Sequence, residues 1–174
     1  MSLYTTQQLK EKIVLSPNQI RNITDDNDLK NLLENLLKRK ISNRCIKQGY
    51  VDGNSIEIIS RTIGLINSSH LNGSISYNII YKANICNPKK GQILNAEVSE
   101  YNNMGILAKI STILVIVIPK HLHKNKEIFK DFKDLENNKY TIKIEVVGKR
   151  FDLNKKSIFV IAKLLDIVNI DKIN

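Results

Sequence analysis

The segment that decides the fold is residues 87–118, which read NPKKGQILNAEVSEYNNMGILAKISTILVIVI. It opens with the turn-forming run Pro-Lys-Lys-Gly and continues with apolar and polar residues in alternation. One face of that alternation carries Leu94, Ala96 and Val98. A period of two predicts a half-buried strand. Residues 102–105, Asn-Asn-Met-Gly, then predict a turn, because Asn and Gly adopt positive φ at low steric cost.

Working outward, the rest of this half predicts four more strands, at 106–110, 113–118, 140–147 and 157–166. The unbroken aliphatic run at 113–118 predicts deep burial, and Pro119 ends that strand. A lysine-rich segment, 120–139, predicts a short helix or an ordered loop, and residues 148–156 predict a charged turn. Five strands in this order predict an OB-fold barrel over residues 87–174.

The first half predicts one helix on a small antiparallel sheet. Polar residues 24–28 supply N-caps for a helix whose apolar stripe is either core or a partner groove. That stripe consists of Leu29, Leu32, Leu33, Leu36, Leu37 and Ile41. Short strands are predicted at 12–15, 44–48, 55–59, 62–66 and 74–85, with loops at 49–54 and 67–73. We therefore predict an α+β domain over residues 1–86, with the boundary at Pro88.

The composition indicates a globular chain with a polyanionic partner. The 174 residues fit one large domain or two small ones, and the net charge is +10. Residues 1–86 carry 11 Lys and Arg against 7 Asp and Glu, and residues 87–174 carry 16 against 10. The alternative is a lysine-rich surface that follows from coding bias, since Ile, Asn and Lys dominate as in an AT-rich genome.

Cysteine usage and hydropathy predict an intracellular, soluble protein. Cys45 and Cys86 form no C-x-x-C pair, so reduced, part-buried thiols are the main interpretation, with a disulfide or metal pair as the alternative. The N-terminus lacks the apolar core of a signal peptide, and no stretch approaches about 18 apolar residues.

Eight short runs, in their order, resemble the seventh-subunit family of RNA polymerase II and its archaeal counterpart. They are residues 15–17, 47–51, 81–83, 88–92, 96–98, 102–105, 147–152 and 158–162. The resemblance covers nearly the whole chain. Two departures are Gln92, where the family usually has Glu, and Ala162, where it has Gly. Such drift, with the Ile, Asn and Lys bias, is typical of a divergent eukaryote or a large DNA virus.

The resemblance implies a non-catalytic stalk subunit of a multisubunit DNA-directed RNA polymerase, of class II or of its class I or III counterparts. In that family the first domain docks on the core enzyme, beside a smaller helical partner subunit, and the OB domain contacts nascent RNA. The implied docking tip is the loop containing Gly49, Tyr50, Val51, Asp52 and Gly53. The sheet ending at Ile85 is the implied partner surface. The implied location is the nucleus, or the virion or cytoplasmic viral factory, without a membrane partner.

OB folds bind RNA with a cationic groove and aromatic stacking platforms. Tyr101, on the polar-face parity at the end of the first barrel strand, is the stacking candidate. The candidate phosphate contacts are Lys109, Lys120, Lys143, Lys149 and Arg150, with Lys89 and Lys90 nearby. Solvated surface is the alternative for each lysine. Because the second and third strands offer aliphatic residues where OB folds usually present aromatic ones, we predict weak, salt-sensitive and sequence-tolerant binding.

The sequence predicts neither catalysis nor a cofactor. It contains no Walker loop, no G-x-S-x-G and no H-E-x-x-H motif. Glu97 and Glu100 lie on an exposed strand face without a partner acid. His121 and His123 could be metal ligands, but without nearby Cys or carboxylates they are interpreted as surface histidines. The rival functions are a free-standing OB-fold RNA-binding protein of translation or RNA processing, and a phosphate-handling enzyme in a β-barrel.

Overall fold

The computed structural model describes residues 3–21, 23–66, 73–123, 132 and 138–172, most of which lie in β-strands. The first half contains β1 (Tyr4–Leu15), α1 (Pro17–Ile20), α2 (Asp26–Ile41), β2 (Cys45–Ile46), β3 (Gly49–Val51), β4 (Glu57–Arg61), β5 (Leu65–Ile66) and β6 (Ile75–Cys86). The second half contains β7 (Ile93–Asn102), β8 (Gly105–Ile110), β9 (Leu114–Pro119), β10 (Asn138–Arg150) and β11 (Ile158–Lys172). Single 3-10 turns lie at Gly53–Ser55 and Lys120–Leu122.

A six-stranded antiparallel sheet with one long helix forms the first half. Strand β6 pairs with β1 along its length and with β3, β4 and β5 on its other side. The predicted helix is confirmed as α2, and its N-cap Asp25 accepts a hydrogen bond from the Asp28 backbone N–H at 2.7 Å. Its buried face consists of Leu33, Leu37 and Ile41. The α+β class and the boundary at Pro88 stay predictions.

The predicted loop at residues 49–54 is wrong for residues 49–51, because Gly49–Val51 is the buried strand β3. The turn lies earlier in the sequence. Cys45 pairs with Tyr50 and Ile46 pairs with Gly49, so Lys47 and Gln48 form the turn between β2 and β3. Gly49 serves a close approach rather than a loop, since a Cβ there would lie 2.5 Å from the Cys86 carbonyl oxygen. Asp52-Gly53 makes no hairpin either: the Asp52 carboxylate accepts the Asn54 backbone N–H at 3.1 Å and begins a 3-10 turn.

The second half closes into a five-stranded barrel in the order β10-β11-β9-β8-β7, and this prediction is confirmed. Strand β7 pairs with both β8 and β10, and β11 runs parallel to β9. This order, with one parallel pair between the third and fifth strands, is compatible with an OB fold. Alternate residues of all five strands fill the interior, among them Leu94, Ala96, Ile106, Leu114, Ile116, Ile142, Ile144 and Val160.

Three details of the barrel differ from the sequence predictions. The aliphatic run at 113–118 is buried on one side only, and Val117 remains 39% exposed on the outside. Strand β10 continues through Arg150, so the predicted turn at 148–156 is shorter, and β11 runs past Asp166 to Lys172. Most of the predicted segment 120–139 and of the loop 67–73 lies outside the described residues.

The two halves share side-chain and backbone contacts. Cys45, Tyr50 and Cys86 from the first half belong to the apolar cluster of the barrel. The Cys45 backbone N–H donates to the Lys155 carbonyl at 2.8 Å, and the Asn154 N–H donates to the Cys45 carbonyl at 2.8 Å. The connection between β10 and β11 is therefore hydrogen-bonded to the edge of the first sheet.

The two cysteines flank Tyr50 in one row across β2, β3 and β6. Their Cα atoms are therefore two strand spacings apart, about 10 Å. A disulfide can bridge Cα atoms up to about 7 Å apart, so these two cysteines are too far apart to form one. Burial raises the pKa of the Cys86 thiol from 9.0 to about 12 and also raises the pKa of Cys45. Both thiols are therefore neutral at physiological pH and poor nucleophiles.

This pKa shift predicts a pH-dependent cost of keeping Cys86 buried. In the unfolded chain the thiol ionises near pH 9, whereas in the folded chain it stays neutral up to about pH 12. The contribution of Cys86 to the free energy of unfolding is therefore complete below pH 9 and is lost as the pH rises towards 12. We expect Cys86→Ala to be less stable than the wild type at pH 8, and the difference to narrow by pH 11. Urea unfolding at each pH measures it; a constant difference would contradict the prediction.

Candidate nucleic-acid interface

One row of outward-facing residues crosses four barrel strands. Arg150 of β10 lies opposite Phe159 of β11, Phe159 lies beside Val115 of β9, and Val115 lies opposite Lys109 of β8. Because residues in register share a face of the sheet, these four side chains form one band, which we name the outer row. The outer row places an aromatic ring and an aliphatic side chain between two cations. Lys109 is also opposite Glu97 of β7.

A second row, parallel to the first, is aliphatic. Ile161 lies beside Val117, and Val117 lies opposite Leu107. Phe159 is 53% exposed and Ile161 is 47% exposed, so the two rows together form an apolar surface on the outside of the barrel. The surface continues into an open groove of about 400 Å³ beside the turn at 102–105, where Met104 and Pro119 contribute to the wall.

Tyr101 does not belong to this outer face, so the predicted parity is wrong. A β-bulge between Val98 and Glu100 places Glu100 opposite the outward Leu107 and Tyr101 opposite the buried Ile106. The Tyr101 ring packs against Phe132, with centroids 6.2 Å apart. The Lys120 ammonium lies 4.5 Å from the Tyr101 ring centroid in a cation–π contact. Phe132 and Lys120 therefore already contact the ring that was predicted to stack on RNA.

Lys149 and Arg150 are adjacent in sequence and lie on different faces. Lys149 is in register with the buried Val160. Its ammonium donates hydrogen bonds to the Asn87 side-chain oxygen and, at 2.7 Å, to the Pro88 carbonyl. Partial burial lowers the pKa of Lys149. Lys149 and Arg150 are both exposed, but the Lys149 ammonium is held by hydrogen bonds to the segment that joins the two halves, whereas Arg150 lies in the outer row.

Lys143 lies on another side of the barrel. It is exposed on β10, opposite Asn95 of β7 and Asp166 of β11. The structure thus brings Lys109 and Arg150 into one band, and leaves Lys120, Lys143 and Lys149 at separate places. Lys89 and Lys90 are exposed in the turn before β7.

The residues of the implied docking tip offer little surface. Gly49, Tyr50, Val51 and Gly53 are buried, and Asp52 is half-buried. The exposed side chains of this region are those of Lys47, Gln48 and Asn54. The first half also exposes aliphatic side chains along β4, β5 and the segment between them, namely Ile59, Ile63, Leu65 and Ile66.

His123 is held by backbone groups. Its Nε2 accepts the Leu164 backbone N–H at 2.8 Å, which leaves Nδ1 to carry the proton and donate to the Pro119 carbonyl at 3.1 Å. His121 lies at the groove beside the turn at 102–105. Within the described ranges, no three His, Cys, Asp or Glu residues cluster closely enough to hold a metal ion.

The sequence reasoning missed Phe159. The run Ile158-Phe159-Val160-Ile161-Ala162 is apolar at both parities, so the pattern alone does not say which residues point outward. The signal that could identify Phe159 is the size of its side chain. The interior of a five-stranded barrel is narrow, and the smaller residues Ile158, Val160 and Ala162 at the other parity fill it, so the large Phe159 points outward.

Comparison with known proteins gives one similarity over almost the entire chain. No protein-family model matches the sequence. The part of the chain that the structure describes contains no helix with the length and apolar character needed to cross a membrane. The chain is 26% identical over 179 residues to the "Putative DNA-directed RNA polymerase subunit L376" of Acanthamoeba polyphaga mimivirus, an alignment that covers 99% of this chain and 87% of that protein.

Proposed function

We propose that this chain is a non-catalytic subunit of a multisubunit DNA-directed RNA polymerase and that it forms part of the stalk. The observation that carries the polymerase part of the proposal is the similarity to the mimivirus protein, because it covers 99% of the chain rather than the barrel alone. The stalk part rests on the family resemblance of the short sequence runs between residues 15 and 162. A shared barrel alone would say little about function, since OB-like barrels serve many purposes. The protein would then act in a viral factory or in the nucleus.

In this proposal the barrel contacts nascent RNA. The net charge of +10 favours a polyanion, and the outer row supplies Lys109 and Arg150 on one exposed face. Two cations are few, so we expect the isolated chain to bind RNA weakly and to lose affinity steeply with salt. Attachment to a polymerase would raise the effective concentration of transcript at this face.

The first half contacts the core enzyme and a smaller helical partner subunit in the same proposal. Because Gly49, Tyr50 and Val51 are buried, we assign the candidate contact with the core enzyme to their exposed neighbours Lys47 and Gln48. The exposed aliphatic side chains of β4, of β5 and of the segment between them, which contains Ile63, support a protein contact on that side of the sheet.

The second candidate function is a free-standing RNA-binding protein of translation or RNA processing. The exposed Phe159 favours it, because an aromatic platform next to cations is what an independent RNA-binding face needs.

Affinity purification of the tagged full chain from its native source, followed by a high-salt wash and mass spectrometry, distinguishes the two candidates. We expect the large polymerase subunits to be retained in near-equal amounts, because a stalk subunit is held by protein contacts that salt screens only in part. Recovery of ribosomal or RNA-processing proteins, or of RNA alone, would contradict the polymerase proposal and favour the second candidate.

A further inference from the structure

We propose that Phe159 is a stacking platform for a base of single-stranded RNA, and that Arg150 and Lys109 bind phosphates on either side of that base. The inference rests on the RNA contact of the proposed function and assigns it to particular side chains. The aromatic platform is on the fifth barrel strand rather than on the second or third.

The exposure of Phe159 is the first observation. More than half of this side chain is accessible, at 53%, although the strand on which it lies is paired on both sides. An isolated exposed apolar residue would need no explanation. Phe159 instead borders an apolar surface with Ile161 and Val117, and adjoining exposed apolar side chains of this kind are typical of a binding face.

The placement of the two cations is the second observation. Arg150 lies directly opposite Phe159, and Lys109 lies two strands away on the other side. Among the described residues neither cation forms an ion pair with a carboxylate. The two cations are three strand spacings apart, about 14 Å, so the phosphates that they bind belong to different nucleotides of one strand.

The chemistry of the face predicts the kind of RNA that it binds. Phe159, Val115, Val117 and Ile161 present no hydrogen-bond donors or acceptors from their side chains, so they cannot read the edges of bases. Every base has a π face, and stacking is therefore tolerant of sequence. A duplex has its bases already stacked on one another, so this face binds single strands in preference to duplexes.

The test is fluorescence anisotropy of the full chain with labelled oligouridine and oligoadenine of about 12 nucleotides, at about 50 mM salt. We expect Phe159→Ala to weaken binding of both probes by about 5- to 150-fold, the range that loss of one stacked base produces. Phe159→Trp should retain the affinity, because the indole also stacks. Phe159→Leu keeps an apolar side chain but has no π face, so this variant should lose most of the RNA affinity.

Arg150→Ala and Lys149→Ala form a matched pair, since each removes one positive charge and only Arg150 lies in the outer row. We expect Arg150→Ala to weaken binding and to reduce the slope of log affinity against log salt by about 0.7, the value of one phosphate contact on a single strand. Lys149→Ala should leave that slope unchanged. Thermal unfolding of each variant by circular dichroism confirms that the variants are folded.

Three outcomes would overturn the inference. If the wild type binds RNA and Phe159→Ala binds equally well, the contact lies elsewhere on the barrel, and the proposed function is untouched. If the wild type binds no RNA even at low salt, the RNA contact of the proposed function fails as well, whereas the affinity purification still tests the polymerase subunit. If Phe159→Ala keeps its RNA affinity but releases a protein in that purification, the face is a protein interface.

Discussion

Gly105→Ala is expected to lower the free energy of unfolding by about 3 to 5 kcal/mol, because the substitution forces β8 and β9 apart. Gly105 is in register with Pro119, where the two strands meet at the turn. A Cβ atom at this position would lie well under 3.0 Å from the carbonyl oxygen of Ile118, a backbone atom that cannot rotate away. A loss of this size is a large part of the 5 to 15 kcal/mol that typically stabilises a domain.

Gly148→Ala is the matched control for this prediction. It is also a glycine in a barrel strand, but a Cβ there would meet no atom within 4 Å. We expect its effect to stay within about 0.5 kcal/mol. Urea unfolding followed by circular dichroism measures both variants. Equal losses in the two would show that the flexibility of glycine, and not the contact at Gly105, determines the result.

Most of the barrel could be predicted because its strands alternate. Leu94 and Ala96 on β7, and Ile142 and Ile144 on β10, are apolar residues separated by polar ones, and all four face the interior. A period of two fixes both the strand and its buried face. Helix α2 was predictable for a similar reason, since its leucines repeat at the helical period and Asp25 provides the cap.

The candidate site was less predictable, because two of its determinants are not local patterns. The bulge after Val98 reverses the parity of β7, so Tyr101 faces inward and Glu100 outward. A bulge depends on pairing with the neighbouring strand, which a single sequence does not reveal. In β11 both parities are apolar, so the outward position of Phe159 follows only from closure of the barrel.

The misplaced loop at 49–54 has a related cause. Asp-Gly is a common turn signal, and Gly49 adds to it, but the two glycines serve other purposes. Gly49 lies against the Cys86 carbonyl, and Gly53 lies in the 3-10 turn that follows β3. Tyr50, between these two glycines, is buried in the apolar cluster of the barrel. Glycine can mark a close approach of two backbones as well as a loop tip, and only the tertiary structure separates the two cases.

Leu37→Ala is expected to lower the free energy of unfolding by about 2 to 5 kcal/mol and to destabilise the barrel as well as the helix. Leu37 is fully buried in the cluster between α2 and the first sheet, so truncation leaves a cavity there. The effect should reach the barrel because Cys45, Tyr50 and Cys86 lie in the barrel cluster, and because the Cys45 backbone is hydrogen-bonded to Lys155.

Hydrogen exchange with mass spectrometry shows how far the destabilisation of Leu37→Ala extends. We expect faster exchange in peptides from β6 and in peptides from β8 and β9. Leu36→Ala makes the same chemical change one position earlier, at a half-buried site, and should have a smaller effect. Faster exchange confined to residues 1–86 would mean that the halves unfold independently. The predicted boundary at Pro88 would then separate two domains in the thermodynamic sense, and the contacts between them would be those of a docked pair rather than of one cooperative unit.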